Sequence, residues 1–165
     1  MQAISLDRGD RTRSAVAAAW ISKLTKAIRR EDQRHLITLG FLPNSAEASG
    51  GSGFPPREVA RDLDFVSVHL YPKPGHLTED LALLRQFAIG KPLVIEETYP
   101  MPASAADLKT FLEASIRIAN GWIGFYWGKP PAELRESKQI GDHILLSWLT
   151  VFKELNHSNP PGKEK

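Results

Sequence analysis

The feature that most restricts how this chain can fold is the regular exchange of two hydrophobic periods along it. From Thr12 to Arg30, the residues Val16, Trp20, Leu24, Ala27 and Ile28 recur at three- and four-residue steps, the stripe of an amphipathic helix. A polar break at Glu31 to Arg34 leads into His35–Gly40, a short β-rich run ended by glycine, and then a loop through Gly50, Gly51, Ser52 and Gly53. Pro55 and Pro56 open a short helix, Arg57 to Leu63, because proline suits a first turn. Asp64 leads into a strand, Phe65–Tyr71. Thr78 is placed to cap the next helix, with Leu81, Leu84 and Phe87 or Ala88 on its buried side and Gly90 as its stop.

Lys91–Thr98 reads as another strand, and Ser104 caps a helix with Leu108, Phe111, Leu112, Ser115, Ile118 and Ala119 on one face. Gly121–Trp127 forms a further strand. The last helix, Ser137 to Asn156, turns Ile140, Ile144, Trp148, Val151, Phe152 and Leu155 inward before a tail rich in Pro, Gly and Lys. Strands alternate with helices throughout, and the connections have the length that parallel pairing requires, so the expected class is α/β with a parallel sheet. No internal repeat or linker divides the chain, which predicts one unit over residues 1–156 and a disordered polar tail over 157–165. Four strands alone would leave such a sheet open along two edges.

Charge and composition narrow the function. The 165 residues are 42% hydrophobic and 24% charged, as in a soluble globular domain, and 21 basic against 19 acidic residues give a net charge of +2. The basic residues are scattered, apart from Arg29 and Arg30, so no nucleic-acid footprint is expected. No run reaches transmembrane length, so no membrane partner is expected. There is no cysteine and the five histidines lack paired spacing, so neither metal nor cofactor is expected. Met1 to Asp10 is polar, unlike a signal peptide, and localisation stays open.

The candidate chemistry lies at strand ends. Side chains alternate along a strand, so Val66, Val68 and Leu70 form an aliphatic face and Phe65, Ser67, His69 and Tyr71 the other. The same count groups Leu93, Ile95 and Glu97, and then Ile123, Phe125 and Trp127. In parallel α/β folds the C-terminal strand ends carry the ligand site. A carboxylate beside an indole platform and hydrogen-bonding partners suits a sugar and the positive charge of its transition state. Taken singly, His69 reads as a satisfied core histidine and Trp127 as packing. Glu96, counted to the opposite face with Val94, reads as a structural partner beneath a helix. Trp20 and Trp148 fall in helical stripes and read as core.

On these residues the chain resembles the (β/α)8-barrel retaining glycoside hydrolases of the clan that includes glycoside hydrolase family 5, the cellulases and β-mannanases. The helix ending Ala27-Ile-Arg-Arg and the run His35–Gly40 resemble that family's fourth helix and fifth strand. Asp64–Pro72 is similar to its sixth strand, whose His and Tyr line the substrate subsite and match His69 and Tyr71. Lys91–Glu97 is similar to the seventh, whose final Glu is the nucleophile and matches Glu97. Gly124–Trp127 is similar to the eighth, with its subsite residue matching Trp127. The resemblance implies the C-terminal half of a TIM barrel, strands five to eight and helices four to eight, acting on a β-linked carbohydrate.

Two departures accompany it. Thr98-Tyr99-Pro100 replaces the aromatic-Gly pair that usually follows the nucleophile. The Asn-Glu pair that ends the family's fourth strand and supplies the general acid/base has no counterpart, and such barrels take about 250 residues. The expectation is therefore a fragment, or a half that pairs with a missing N-terminal half or with a second half-barrel. Glu47, Asp107 and Glu133 are the available substitute acids, and none lies at a strand end in phase with Glu97. Another class is a non-catalytic carbohydrate-binding half-barrel. A phosphate-using barrel enzyme is disfavoured, because no Gly-rich loop precedes the last helix.

Overall fold

The computed structural model describes residues 9–46, 52–99 and 103–158 of the chain. The first eight residues, Glu47, Gly50, Gly51, Pro100 and the tail from 159 onward, on which some of the expectations above fall, lie outside them.

Helix α1 (Arg13–Glu31) starts where Thr12, with extended backbone, accepts the Ala15 N–H on its hydroxyl at 3.1 Å. It stops at Asp32, whose carboxylate accepts the Arg34 and His35 N–H groups at 2.8 and 3.1 Å. Those two backbone bonds, followed by the His35 ring, hold the Asp32 carboxyl down to about 2. The face that α1 buries differs from the expected one. Ala17, Ile21 and Thr25 are buried, whereas Trp20, Leu24 and Ile28 stay 50%, 43% and 44% exposed. The two stripes lie one residue apart, about 100° of helix rotation, and both carry apolar side chains, so periodicity alone does not separate them. Packing against α2 (Pro56–Val59) and the 3-10 turn Ala60–Asp62 selects the smaller residues.

Strands β1 (Gly40–Phe41), β2 (Val66–His69), β3 (Leu93–Thr98) and β4 (Gly121–Gly124) form one all-parallel sheet in chain order. Helices α2, α3 (Leu77–Arg85) and α4 (Ala105–Ser115) lie in the successive crossovers. The strands are shorter than the β-rich runs. Residues 36–39 run beside 65–67 with side chains in place of a ladder: Thr38 Oγ1 donates to Phe65 O at 2.9 Å and Ser67 Oγ to Leu39 O at 3.1 Å.

Register explains the two faces of the sheet. Phe41, Val68, Ile95 and Trp122 are aligned across all four strands, and the first three are buried with Ile21, Leu84, Phe87, Phe111, Leu112 and Trp148 in one core. The Trp122 indole N–H donates to Ser115 Oγ at 2.9 Å, and Ser115 Oγ donates to Leu112 O at 2.8 Å, which ties β4 to α4. The adjacent row, Gly40, Ser67, Val94 and Gly121, occupies the other face. Farther along β4 on that open side, Ile123 is 56% exposed.

Three helix expectations change. His76, not Thr78, stands at the N-cap of α3 without a side-chain bond there, and the buried Asp80 accepts the Lys73 N–H at 2.8 Å instead. A separate helix α5 (Pro131–Glu136) precedes α6 (Ile140–Ser158), because Pro130 and Pro131 start a helix that anchors itself through the buried Leu134. In α6, Trp148, Val151 and Leu155 are buried as expected, but Ile140 and Ile144 face outward. Helix α4 keeps its expected start, with Ser104 and Asp107 forming a reciprocal capping box.

Candidate active site

Strict alternation would turn Glu97 toward the helices. Leu93 is aligned with Val66 and Ile95 with Val68, all four buried on the helix-covered face, so a residue two beyond Ile95 belongs on that face too. The chain avoids this with a register shift. Val68 is paired with Ile95, but its successor His69 is paired with Glu97, so Glu96 is an extra residue in β3. Such a bulge carries two residues opposite one. Glu96 reaches the open face by ordinary alternation with Val94, and Glu97 reaches it through the bulge.

The two carboxylates therefore stand together, flanking His69. Its Nε2 is 3.1 Å from Glu96 Oε1 and its Nδ1 is 3.3 Å from Glu97 Oε2. The side chains of His69, Glu96 and Glu97 are 27%, 23% and 23% exposed, half-buried but open to a ligand. Tyr71 donates its hydroxyl to Glu97 Oε1. Burial first, then the bond to Glu97 and its negative charge, pushes the Tyr71 phenol up to about 12, so it remains a donor throughout the neutral range. Both oxygens of Glu97 thus meet a protein group, and the carboxylate is fixed in orientation.

Glu96 corrects the sequence-based expectation. It lies on the site face and contacts His69, not beneath a helix. Its position depends on Gly40, the last small residue before Phe41: a Cβ there would fall 2.2 Å from Glu96 Oε1 and 2.8 Å from His69 Nε2. The signals were two consecutive acids at a strand end, which alternation cannot place on one face without a bulge, and Gly40, which closes the β-rich run from His35.

Trp127 is not brought into this cluster. It lies beyond the end of β4, 101% exposed, with no hydrogen bond or ring contact among the described residues. Phe125 instead meets Tyr99 edge-on at 6.3 Å. Of the substitute acids, Glu47 lies outside the described residues, Asp107 is bound into the cap of α4, and Glu133 is exposed in the first turn of α5. Among the described residues no group of three or more His, Asp or Glu side chains is arranged to hold a metal ion.

The chain matches no protein-family model and no curated protein sequence. The arrangement itself offers an oriented carboxylate with a phenol and an imidazole at the C-terminal end of parallel strands. These are the components for attack on an electrophilic carbon and for hydrogen bonding to hydroxyl groups.

Proposed function

We propose that this chain is half of a (β/α)8-barrel retaining glycoside hydrolase acting on a β-linked oligo- or polysaccharide, with Glu97 as nucleophile. The observation that carries this reading is the fixed Glu97 carboxylate, held by Tyr71 and faced by His69 at the C-terminal end of β3. In a retaining mechanism such a carboxylate attacks the anomeric carbon, and a second carboxyl group about 5–5.5 Å away protonates the leaving oxygen and then activates water. Glu96 is a poor substitute for that group. It is the neighbour of Glu97 on the same strand and shares its histidine, whereas the acid has to reach the leaving oxygen.

In this reading the acid comes from a complementary set of β/α units, and the exposed surface supports a missing partner. Parallel sheets are normally covered on both faces. Here Ile123 and Phe125 are more than half exposed in and beyond the edge strand, while Leu24 and Ile28 of α1 and Ile140 and Ile144 of α6 are exposed on the helices flanking the two edge strands, and Trp20 of α1, which meets Phe54 edge-on, is half exposed. An N-terminal half-barrel would cover these positions and close both edges.

The test is intact-mass analysis after incubation with an activated 2-fluoroglycoside, which traps a nucleophile without requiring an acid. An adduct on the wild type that is lost in Glu97→Gln is expected. A folded protein, complemented to a complete barrel and still unlabelled, would refute the catalytic role. It would favour the second reading, a carbohydrate-binding module, for which the fully exposed Trp127 is the specific observation.

A further inference from the structure

Trp127 is fully exposed, yet the loop that carries it, residues 125–130 between β4 and α5, is fastened on both sides of the indole. Phe125 donates its N–H to Thr98 O at 2.8 Å, which carries the β3–β4 pairing to within two residues of Trp127. Tyr126 turns its hydroxyl across the loop and donates to Lys129 O at 2.7 Å. Gly128 makes room for that ring: a Cβ there would fall 2.7 Å from the Tyr126 hydroxyl oxygen and 3.0 Å from Cζ. Lys129 in turn donates its ammonium group to Asp142 Oδ2 at 2.7 Å. Asp142, buried in the first turn of α6, also accepts the Ser137 hydroxyl at 2.5 Å. Pro130 and Pro131 then fix φ where α5 begins.

This ordering gains no packing for the indole, which has no hydrogen bond or ring contact among the described residues. Fixing a loop's backbone costs conformational entropy, and a loop fixed beforehand is spared that cost when its ligand arrives. A bare indole held in place offers a flat apolar surface to a ring such as a pyranose. We infer that Tyr126, Gly128, Lys129 and Asp142 are positioning residues, which hold Trp127 ready as a contact for a sugar ring of an oligosaccharide. The sugar contact rests on the carbohydrate reading proposed above, whereas the order of the loop stands apart from it.

The experiment is nitrogen-15 relaxation of the Trp127 backbone and indole N–H groups in the full chain, for wild type, Lys129→Met, Gly128→Ala and Lys129→Arg. Calorimetric titration with cellohexaose and mannohexaose follows, and far-UV circular dichroism verifies folding. The backbone order parameter of Trp127 is expected near about 0.85 in the wild type and Lys129→Arg, and below about 0.6 in the other two. Two disrupting variants guard against one failing to fold: Lys129 is 47% exposed, and Gly128 has no left-handed backbone, so alanine acts there through the Tyr126 ring. Affinity for the bound hexasaccharide should fall roughly tenfold in Lys129→Met and Gly128→Ala and return in Lys129→Arg. In a Trp127→Ala background Lys129→Met should cost no further affinity, which a merely structural role of the ion pair would not produce. A flexible Trp127 in the wild type, equal order in both folded variants, or the same tenfold loss without the indole overturns the inference. If the wild type binds neither sugar, the carbohydrate reading fails, and the order parameters alone decide whether these residues hold the loop.

Discussion

Thr98→Val is expected to stabilise the protein. The bulge that carries Glu97 to the open face returns the next residue to the helix side, and Thr98 is left 1% exposed there. Its neighbours include Leu145, Trp148, Leu149 and Phe152, and its hydroxyl has no hydrogen-bond partner among the described residues. A buried hydroxyl without a partner keeps its desolvation cost, about 1–3 kcal/mol. Valine has nearly the same shape and removes that cost, so stability should rise by about 1–3 kcal/mol, or roughly 2–4 °C in Tm per kcal/mol for a chain of this size. Thr98→Ala serves as the control: it removes the same hydroxyl but also a methyl group, so it should be less stable than Thr98→Val by about 0.8 kcal/mol. Urea unfolding of the three proteins reads the outcome as a change in midpoint at constant slope. A valine variant no more stable than the wild type would show that the hydroxyl is satisfied, and would remove the argument that the site is built at a cost to the core.

Ser115→Ala should destabilise by about 1–3 kcal/mol, because the Trp122 indole N–H loses its acceptor at the β4–α4 seam; a loss of less than half of that in urea unfolding would mean that Trp122 finds another partner. Asp32 has a carboxyl lowered from 3.8 to about 2 by the folded state, so its contribution is present above pH 4 and is lost as pH falls toward 2. The Tm gap between wild type and Asp32→Asn should therefore be open at pH 7 and closed at pH 2, and a gap independent of pH would contradict this assignment. Trp127→Ala should change stability by no more than about 0.5 kcal/mol, since the ring is fully exposed. If Trp127 forms a sugar platform, the same change weakens oligosaccharide binding measured by calorimetry; equal affinity would remove it from the site.

The alternation of periods was enough to read an α/β chain with a parallel sheet, because a crossover of helical length joins each strand to the next. Capping was legible where one side chain does the work, as at Ser104. It was not legible at α3, where the tertiary position of Asp80 replaces a cap at Thr78. Nor could helix period alone tell the stripe of Trp20, Leu24 and Ile28 from that of Ala17, Ile21 and Thr25, because which stripe is buried depends on what packs against it.

The site shows the same division. His69, Tyr71 and Glu97 were candidates from the sequence because residue type and nearness to a strand end are local properties. Their meeting was not local: counting by twos set Glu97 on the face of Leu93 and Ile95, which the structure buries, and only the pairing of β3 with β2 inserts Glu96 and brings Glu97 to His69. A strand's alternation is set by its own backbone, so the sequence determines it. A bulge exists only relative to a partner strand, so the tertiary structure decided which carboxylates share the histidine and which hydroxyl is buried in exchange.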